Sequence, residues 1–194
     1  MSNLNIGIVI SSTRDARVGR SAAEYIYSIA SKRDDVNFEI IDLQDYPLPI
    51  FNEAAPNGTV LEVNDPIGKQ WKAKIESLDG YIFVVAEYNG GIPGVLKNAL
   101  DYTFTEWMRK PAAYFAYGSL GGARAVQQLR LTCIDLHMAP LRNAVYLQGA
   151  DFFSVMFGEK QIGEFSYLEP LTNDMLDHLG WWTKTLKERR QKAA

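Results

Sequence analysis

Three short stretches of the chain carry residue types suited to chemistry at a bound ligand. The first, Ser11-Ser12-Thr13-Arg14-Asp15-Ala16-Arg17-Val18-Gly19-Arg20, packs three hydroxyls and three arginines into ten residues. Hydroxyls of Ser12 and Thr13, with the backbone N–H groups that open a following helix, can donate to phosphate oxygens. Arg14 and Arg17 can add charge-assisted bonds. The same residues also suit a plain helix cap with solvated arginines. The second stretch is Glu87-Tyr88-Asn89-Gly90-Gly91-Ile92-Pro93-Gly94. Gly90 and Gly91 let backbone approach a flat ligand closely, Asn89 offers a donor and an acceptor to a heteroaromatic edge, and Tyr88 can pack beside a ring. Pro93 and Gly94 fit a helix start equally well, and Glu87 reads as a salt-bridge partner before it reads as a base. The third, Gly118-Ser119-Leu120-Gly121-Gly122, exposes backbone amides and one more hydroxyl.

Other reactive groups are scarce. The 194 residues include one cysteine and two histidines, with 20 Lys+Arg against 23 Asp+Glu and a formal charge of -3. One cysteine excludes an internal disulfide framework and a Cys-rich zinc site. The mild acidity argues against a dedicated nucleic-acid binder. The sequence contains no G-x-x-x-x-G-K-[ST] or G-x-G-x-x-G, so nucleoside triphosphate hydrolysis and Rossmann dinucleotide binding lose support. Nor does it contain G-x-S-x-G, H-E-x-x-H or C-x-x-C, which disfavours hydrolase, zincin and thiol-redox chemistry. Cys133 falls on an apolar helix stripe and reads as core, His137 as a helix-end residue, and His178 carries no assigned role. Lys184, Lys187, Arg189, Arg190 and Lys192 read as a solvated basic helix end.

The elements that must position the three loops follow from periodicity. Leu4–Ile10 is a short apolar strand; Ala22, Ile26, Ile29 and Ala30 mark a helix over 20–32; Val36, Phe38 and Ile40 alternate as a second strand ending at Asp42. The prolines at 47, 49, 56 and 66, with Asn57-Gly58, predict a long surface loop over 45–66. A helix over 67–78 leads to Tyr81–Ala86, apolar throughout and therefore central. A helix from Val95, a strand over 112–117, a helix carrying Val126, Leu129, Cys133 and Leu136, and a strand over 144–147 complete the pattern. Residues 150–170 read as aromatic-rich and irregular, and 172–190 as a final helix. Strands alternating with helices imply a three-layer α/β sandwich with a parallel sheet. One domain is expected, its core at about 4–150 and a C-terminal extension at 151–194. In such a sheet, ligands bind beyond the carboxyl ends of the strands, where all three loops lie.

Together, strand-Ser-Ser-Thr-Arg, then Val-Val-Ala-Glu-Tyr-Asn-Gly-Gly-Ile-Pro-Gly-Val-Leu-Lys-Asn-Ala-Leu-Asp, then Gly-Ser-Leu-Gly-Gly-Ala-Arg-Ala resemble the NADPH-dependent FMN reductase family over about residues 4–150. The resemblance implies a flavodoxin-like fold, a five-stranded sheet of order 2-1-3-4-5, bound FMN, and NAD(P)H as co-substrate. It also implies a small acceptor such as a free flavin, quinone or azo compound. On matching positions Ser12, Arg14, Arg17, Val18 and Gly19 would hold the FMN phosphate, with Thr13 beside them. Glu87, Tyr88, Asn89, Gly90 and Gly91 would line the isoalloxazine, and Ser119, Leu120, Gly121 and Gly122 would meet its pyrimidine side. Two positions depart from the family pattern: Gly-Ser-x-Arg is Ser11-Ser12-Thr13-Arg14, and Pro-Glu-Tyr-Asn is Ala86-Glu87-Tyr88-Asn89. No catalytic side chain and no metal is required, because the cofactor carries the redox chemistry.

A flavodoxin-like electron carrier and a flavin-free interaction module are the rival readings. Trp107 with Phe152, Phe153, Phe157, Phe165 and Tyr167 suggests either core or a subunit contact. Segments 102–109 and 150–167 are therefore expected to help form a homodimer or homotetramer and to border the flavin pocket. With no leader pattern and no long apolar run, a cytoplasmic protein without membrane or nucleic-acid partners is expected.

Overall fold

The computed structural model describes residues 4–53 and 63–193; Pro56 and Asn57-Gly58 of the predicted loop lie outside the described residues. Strands β1 (Leu4–Ile10), β2 (Val36–Asp42), β3 (Gly80–Ala86), β4 (Pro111–Gly118) and β5 (Ala139–Gln148) form one parallel sheet of order β2-β1-β3-β4-β5. Helices α1 (Gly19–Ala30), α2 (Pro66–Glu76), α3 (Gly94–Asp101), α4 (Ala123–Asp135), α5 (Gly149–Met156) and α6 (Leu168–Ala193) surround it. The strand order reverses between β1 and β3, which opens a crevice at the carboxyl edge of the sheet.

Alternation along the strands sorts the core into two layers. Ile6, Ile8 and Ile10 of β1 join Ile82, Val84, Ala113 and Phe115 under α1 and α6. On the opposite face Val9, Tyr81, Phe83, Val85 and Tyr114 meet Trp71 of α2, Leu96 of α3 and Leu129 of α4. β3 and β4 are buried along their whole length, and this explains their unbroken apolar character. Met175, Leu176 and Leu179 place α6 in the first layer, so the C-terminal helix completes the core.

The structure corrects several expectations. β5 begins at Ala139, five residues before the predicted start; its first half, with Pro140, Arg142 and Asn143, looks like a loop in sequence. An edge strand tolerates that proline, and a register irregularity between Ala112 and Tyr114 accommodates it. Residues 150–170 are not irregular: they contain α5, a 3-10 turn at Ile162–Glu164 and the first turn of α6. α5 was hidden because it is short and buries no residue fully. Trp107 does not lie on a subunit surface but is fully buried, its Nε1 donating to Thr103 Oγ1 at 2.6 Å and its ring set against Tyr81. Phe165 is core as well, while Phe153 and Phe157 are exposed. Cys133 is buried as expected, His137 terminates α4 with a left-handed φ of 55°, and His178 is exposed on α6 beside Asp174.

Candidate functional site

The three loops leave β1, β3 and β4 at the same edge of the sheet, and specific bonds join them. Ser12 Oγ and Tyr88 Oη form a short hydrogen bond across 76 residues of sequence, tying the first loop to the second. The Arg14 guanidinium lies over the Tyr88 ring, 5.6 Å from its centre. Gly118 reaches the second loop too: a Cβ there would stand 3.6 Å from Cβ of Glu87. The sequence-predicted residues are thus brought together.

In the first loop, the α1 helix opens without a side-chain cap. Its cap position is Val18, the first turn contains no acidic residue, and the first helical bond runs from Ala22 N–H to Val18 O. Amides at Arg20 and Ser21 are therefore left for an outside acceptor, while the Gly19 N–H meets the Tyr117 hydroxyl. Gly19 is required by space: a Cβ would sit 2.9 Å from Tyr117 Oη and 3.0 Å from Ile10 Cγ2. Burial raises the Tyr117 hydroxyl far above the ordinary phenol value, so it stays protonated.

The two arginines are not equivalent. Arg14 is exposed. The Arg17 side chain is largely covered and committed: its Nη2 bonds Asp42 Oδ2 and Gln44 Oε1 at 2.6 Å each, and its Nη1 donates to Arg14 O at 3.0 Å. Only Nε of Arg17 is buried without an acceptor. Gln44 adds a bond from Nε2 to Thr13 O at 3.1 Å. Asp42 and Gln44 thus pin the loop to the end of β2, a role that sequence reasoning missed; an acidic strand end facing an arginine-rich loop was the available signal.

The departures at Ser11 and Ala86 turn out to be one feature. Ser11 Oγ accepts the Ala86 N–H at 3.0 Å, and both residues are buried. A proline at 86 has no N–H to satisfy, and a glycine at 11 has no hydroxyl to satisfy one. Replacing both together keeps the backbone polar groups paired.

The second loop is a tight turn. Tyr88 and Gly91 exchange two backbone bonds of 3.0 Å, and the residues between them, Asn89 and Gly90, have φ of 51° and 81°. This is the two-residue geometry that Asn-Gly favours, and that dipeptide is a signal the sequence carried. Gln128 of α4 supports the turn by accepting Ile92 N–H at 2.8 Å. The Glu87 carboxylate is engaged by α4. Its carboxylate accepts Arg124 N–H at 3.0 Å, Ala125 N–H at 3.3 Å and Arg124 Nε at 2.8 Å, with a further short contact to Nη2. Glu87 caps α4. Burial alone would push this carboxyl up, but the bonds from Arg124 and the two amides outweigh it and hold Glu87 below the usual carboxylate value.

In the third loop Gly118, Gly121 and Gly122 all take positive φ. Gly122 is the most constrained, since a Cβ would stand 2.9 Å from Ala116 Cβ and 3.1 Å from Tyr117 N. Ser119 and Leu120 are exposed at the tip, and Ser119 O accepts Gly149 N–H at 3.2 Å, bringing α5 to the rim.

These donors fit a flavin mononucleotide. An uncapped helix start with an exposed arginine suits a phosphate, and two glycine-bearing turns present backbone to a flat ring. The model for NADPH-dependent FMN reductase matches residues 4–151. The chain belongs to this family. An NAD(P)H-dependent FMN reductase from Nectria sp is 35% identical over 160 residues, spanning 78% of this chain and 80% of the relative. A 2-hydroxy-1,4-benzoquinone reductase from Burkholderia sp is 30% identical over 140 residues, spanning 69% and 72%. Among solved structures, a flavoenzyme NAD(P)H:(acceptor) oxidoreductase from Paracoccus denitrificans superposes with a TM-score of 0.67 at 21% identity, over 94% of this chain and 98% of the other; it supports the flavodoxin-like fold. Among the described residues no helix is long and apolar enough to cross a membrane, and no cluster of His, Cys, Asp and Glu could hold a metal ion.

Proposed function

We propose that this member of the FMN reductase family binds FMN at the three-loop edge, takes hydride from NAD(P)H and passes electrons to a small acceptor such as a free flavin, a quinone or an azo compound. The observation that carries the reading is the uncapped α1 start, with exposed Arg14, bonded through Ser12 and Tyr88 to a backbone turn suited to a flat ring. When bound, the flavin supplies the two-electron redox chemistry.

The chain's own residues bind and orient. The amides that follow Gly19, with Ser12, Thr13 and Arg14, hold the phosphate; Arg17 and Val18 shape that loop, Arg17 by its bonds to Asp42 and Gln44. Tyr88, Asn89, Gly90 and Gly91 border the ring on one side, with Ser119, Leu120, Gly121 and Gly122 on the other. Glu87 acts only as the support of α4. The exposed apolar row of Leu120, Phe153, Met156 and Phe157 at the rim supports a homodimer or homotetramer; a strictly monomeric species in light scattering would overturn that. The shared core supports one domain, and the lone buried thiol supports a cytoplasmic location.

The test is a fluorescence titration with FMN and with riboflavin. FMN should bind at least about tenfold more tightly, because charge-assisted bonds to phosphate contribute on the order of 1.5–3 kcal/mol. Arg14→Ala should erase much of that difference while leaving riboflavin affinity unchanged. Equal affinity for the two flavins would overturn the phosphate assignment.

A further inference from the structure

At the amino-terminal edge of the sheet, a strand's length (~23 Å) from the flavin loops, lies a cavity of about 380 Å³. It is lined by Arg109, Leu186, Arg189, Arg190 and Lys192. Four of these five residues are cations and none is acidic. Arg190 is fixed in place, with Nη2 on Asp79 Oδ1 at 2.9 Å and Nη1 on the carbonyl of Arg109 at 2.7 Å. Asp79 is shared with Lys187 at 2.7 Å, so its single charge is divided between two cations. Among the described residues, Arg109, Arg189 and Lys192 make no ion pair.

The arrangement is built rather than frayed. Arg109 holds a left-handed φ of 58°, which L-residues seldom adopt. Its N–H is held by His137 O at 2.8 Å and its carbonyl by Arg190. Like charges gathered around one hollow repel, and an anion among them relieves that repulsion. Arg109, Arg189 and Lys192 are exposed around one hollow whose wall is mostly apolar, Leu186 included. We propose that this cavity binds the diphosphate group of a small phosphorylated metabolite, at a site separate from the flavin site and independent of the flavin reading.

The experiment is calorimetric titration of the protein and its variants, each in the same saturating FMN, with inorganic pyrophosphate at constant ionic strength. One saturable site is expected. Arg189→Gln and Arg109→Gly should each weaken it about tenfold, the loss of one charge-assisted contact. Glycine suits the backbone at 109, so that variant should keep its melting temperature. Arg14→Ala, on the far edge, should leave pyrophosphate binding unchanged. No saturable heat, full-strength binding by both variants, or loss of binding in Arg14→Ala would each overturn the proposal. So would a single-stranded RNA oligonucleotide that binds more tightly than pyrophosphate at the same salt.

Discussion

Ser11→Gly isolates the bond that distinguishes this chain from its family's usual pattern. The Ser11 hydroxyl is fully buried and accepts the Ala86 amide at 3.0 Å. Removing it leaves a buried N–H without a partner, which costs about 1–3 kcal/mol. Added backbone entropy of glycine contributes about 0.5–1 kcal/mol more. The single variant should therefore lose about 1.5–4 kcal/mol, a fall in melting temperature of about 3–16 °C for a domain of this size. Ala86→Pro removes the orphaned donor, and the Ala86 N–H points to Ser11, so no sheet bond is lost. Combining the two substitutions should recover about 1–3 kcal/mol relative to the sum of the singles; the glycine entropy cancels within the cycle. Urea denaturation of all four proteins measures the interaction energy. A value within about 0.5 kcal/mol of zero would refute the pairing.

Glu87→Gln should cost about 1–3 kcal/mol through weaker capping of α4, while flavin reduction by NADPH at saturating FMN keeps its rate and its pH profile. A carboxyl whose folded pKa is lowered contributes its stabilisation above the ordinary carboxylate value, so that contribution disappears only as pH falls through the acidic range. Loss of reduction without loss of stability would restore Glu87 to the chemistry. Lys110 titrates with the opposite sense. Burial, with Arg190 nearby, pulls it down to about 8, while its Nζ donates to Ile75 O and Glu76 O at 3.0 Å. The unfolded chain then holds the proton more tightly, and folding stability should rise by about 2 kcal/mol between roughly pH 7 and 9.5. Urea midpoints of Lys110→Met should lack this rise; the same rise in the variant would refute it.

What the sequence disclosed depended on how local the cause was. β1 and β3 were legible because each is a continuous apolar run bounded by polar loops. The clustering of the three loops at one edge was legible because strand exits in a parallel sheet share that edge. The Asn89-Gly90 dipeptide encodes its turn locally, and the same glycines also suit a ligand approach. Roles set by distant partners were out of reach. The support that Glu87 gives α4 depends on Arg124, 37 positions away. The bond of Arg17 to Asp42 spans 25 positions and ties the first loop to the end of β2. The Ser11–Ala86 pair spans 75 positions, and neither residue alone announces the other. β5 was cut short because Pro140 imitates a loop, a disguise available only to an edge strand.

The central claim is that loop backbone, hydroxyls and Arg14 hold a flavin that accepts hydride from a nicotinamide. It is tested most directly by anaerobic stopped-flow mixing of FMN-loaded protein with NADPH and with NADH. Bound flavin should bleach within catalytic turnover times and recover its colour when a soluble quinone is added. Protein that takes up no FMN, or holds it but is not reduced by either nicotinamide, would contradict the account and favour the carrier or interaction reading.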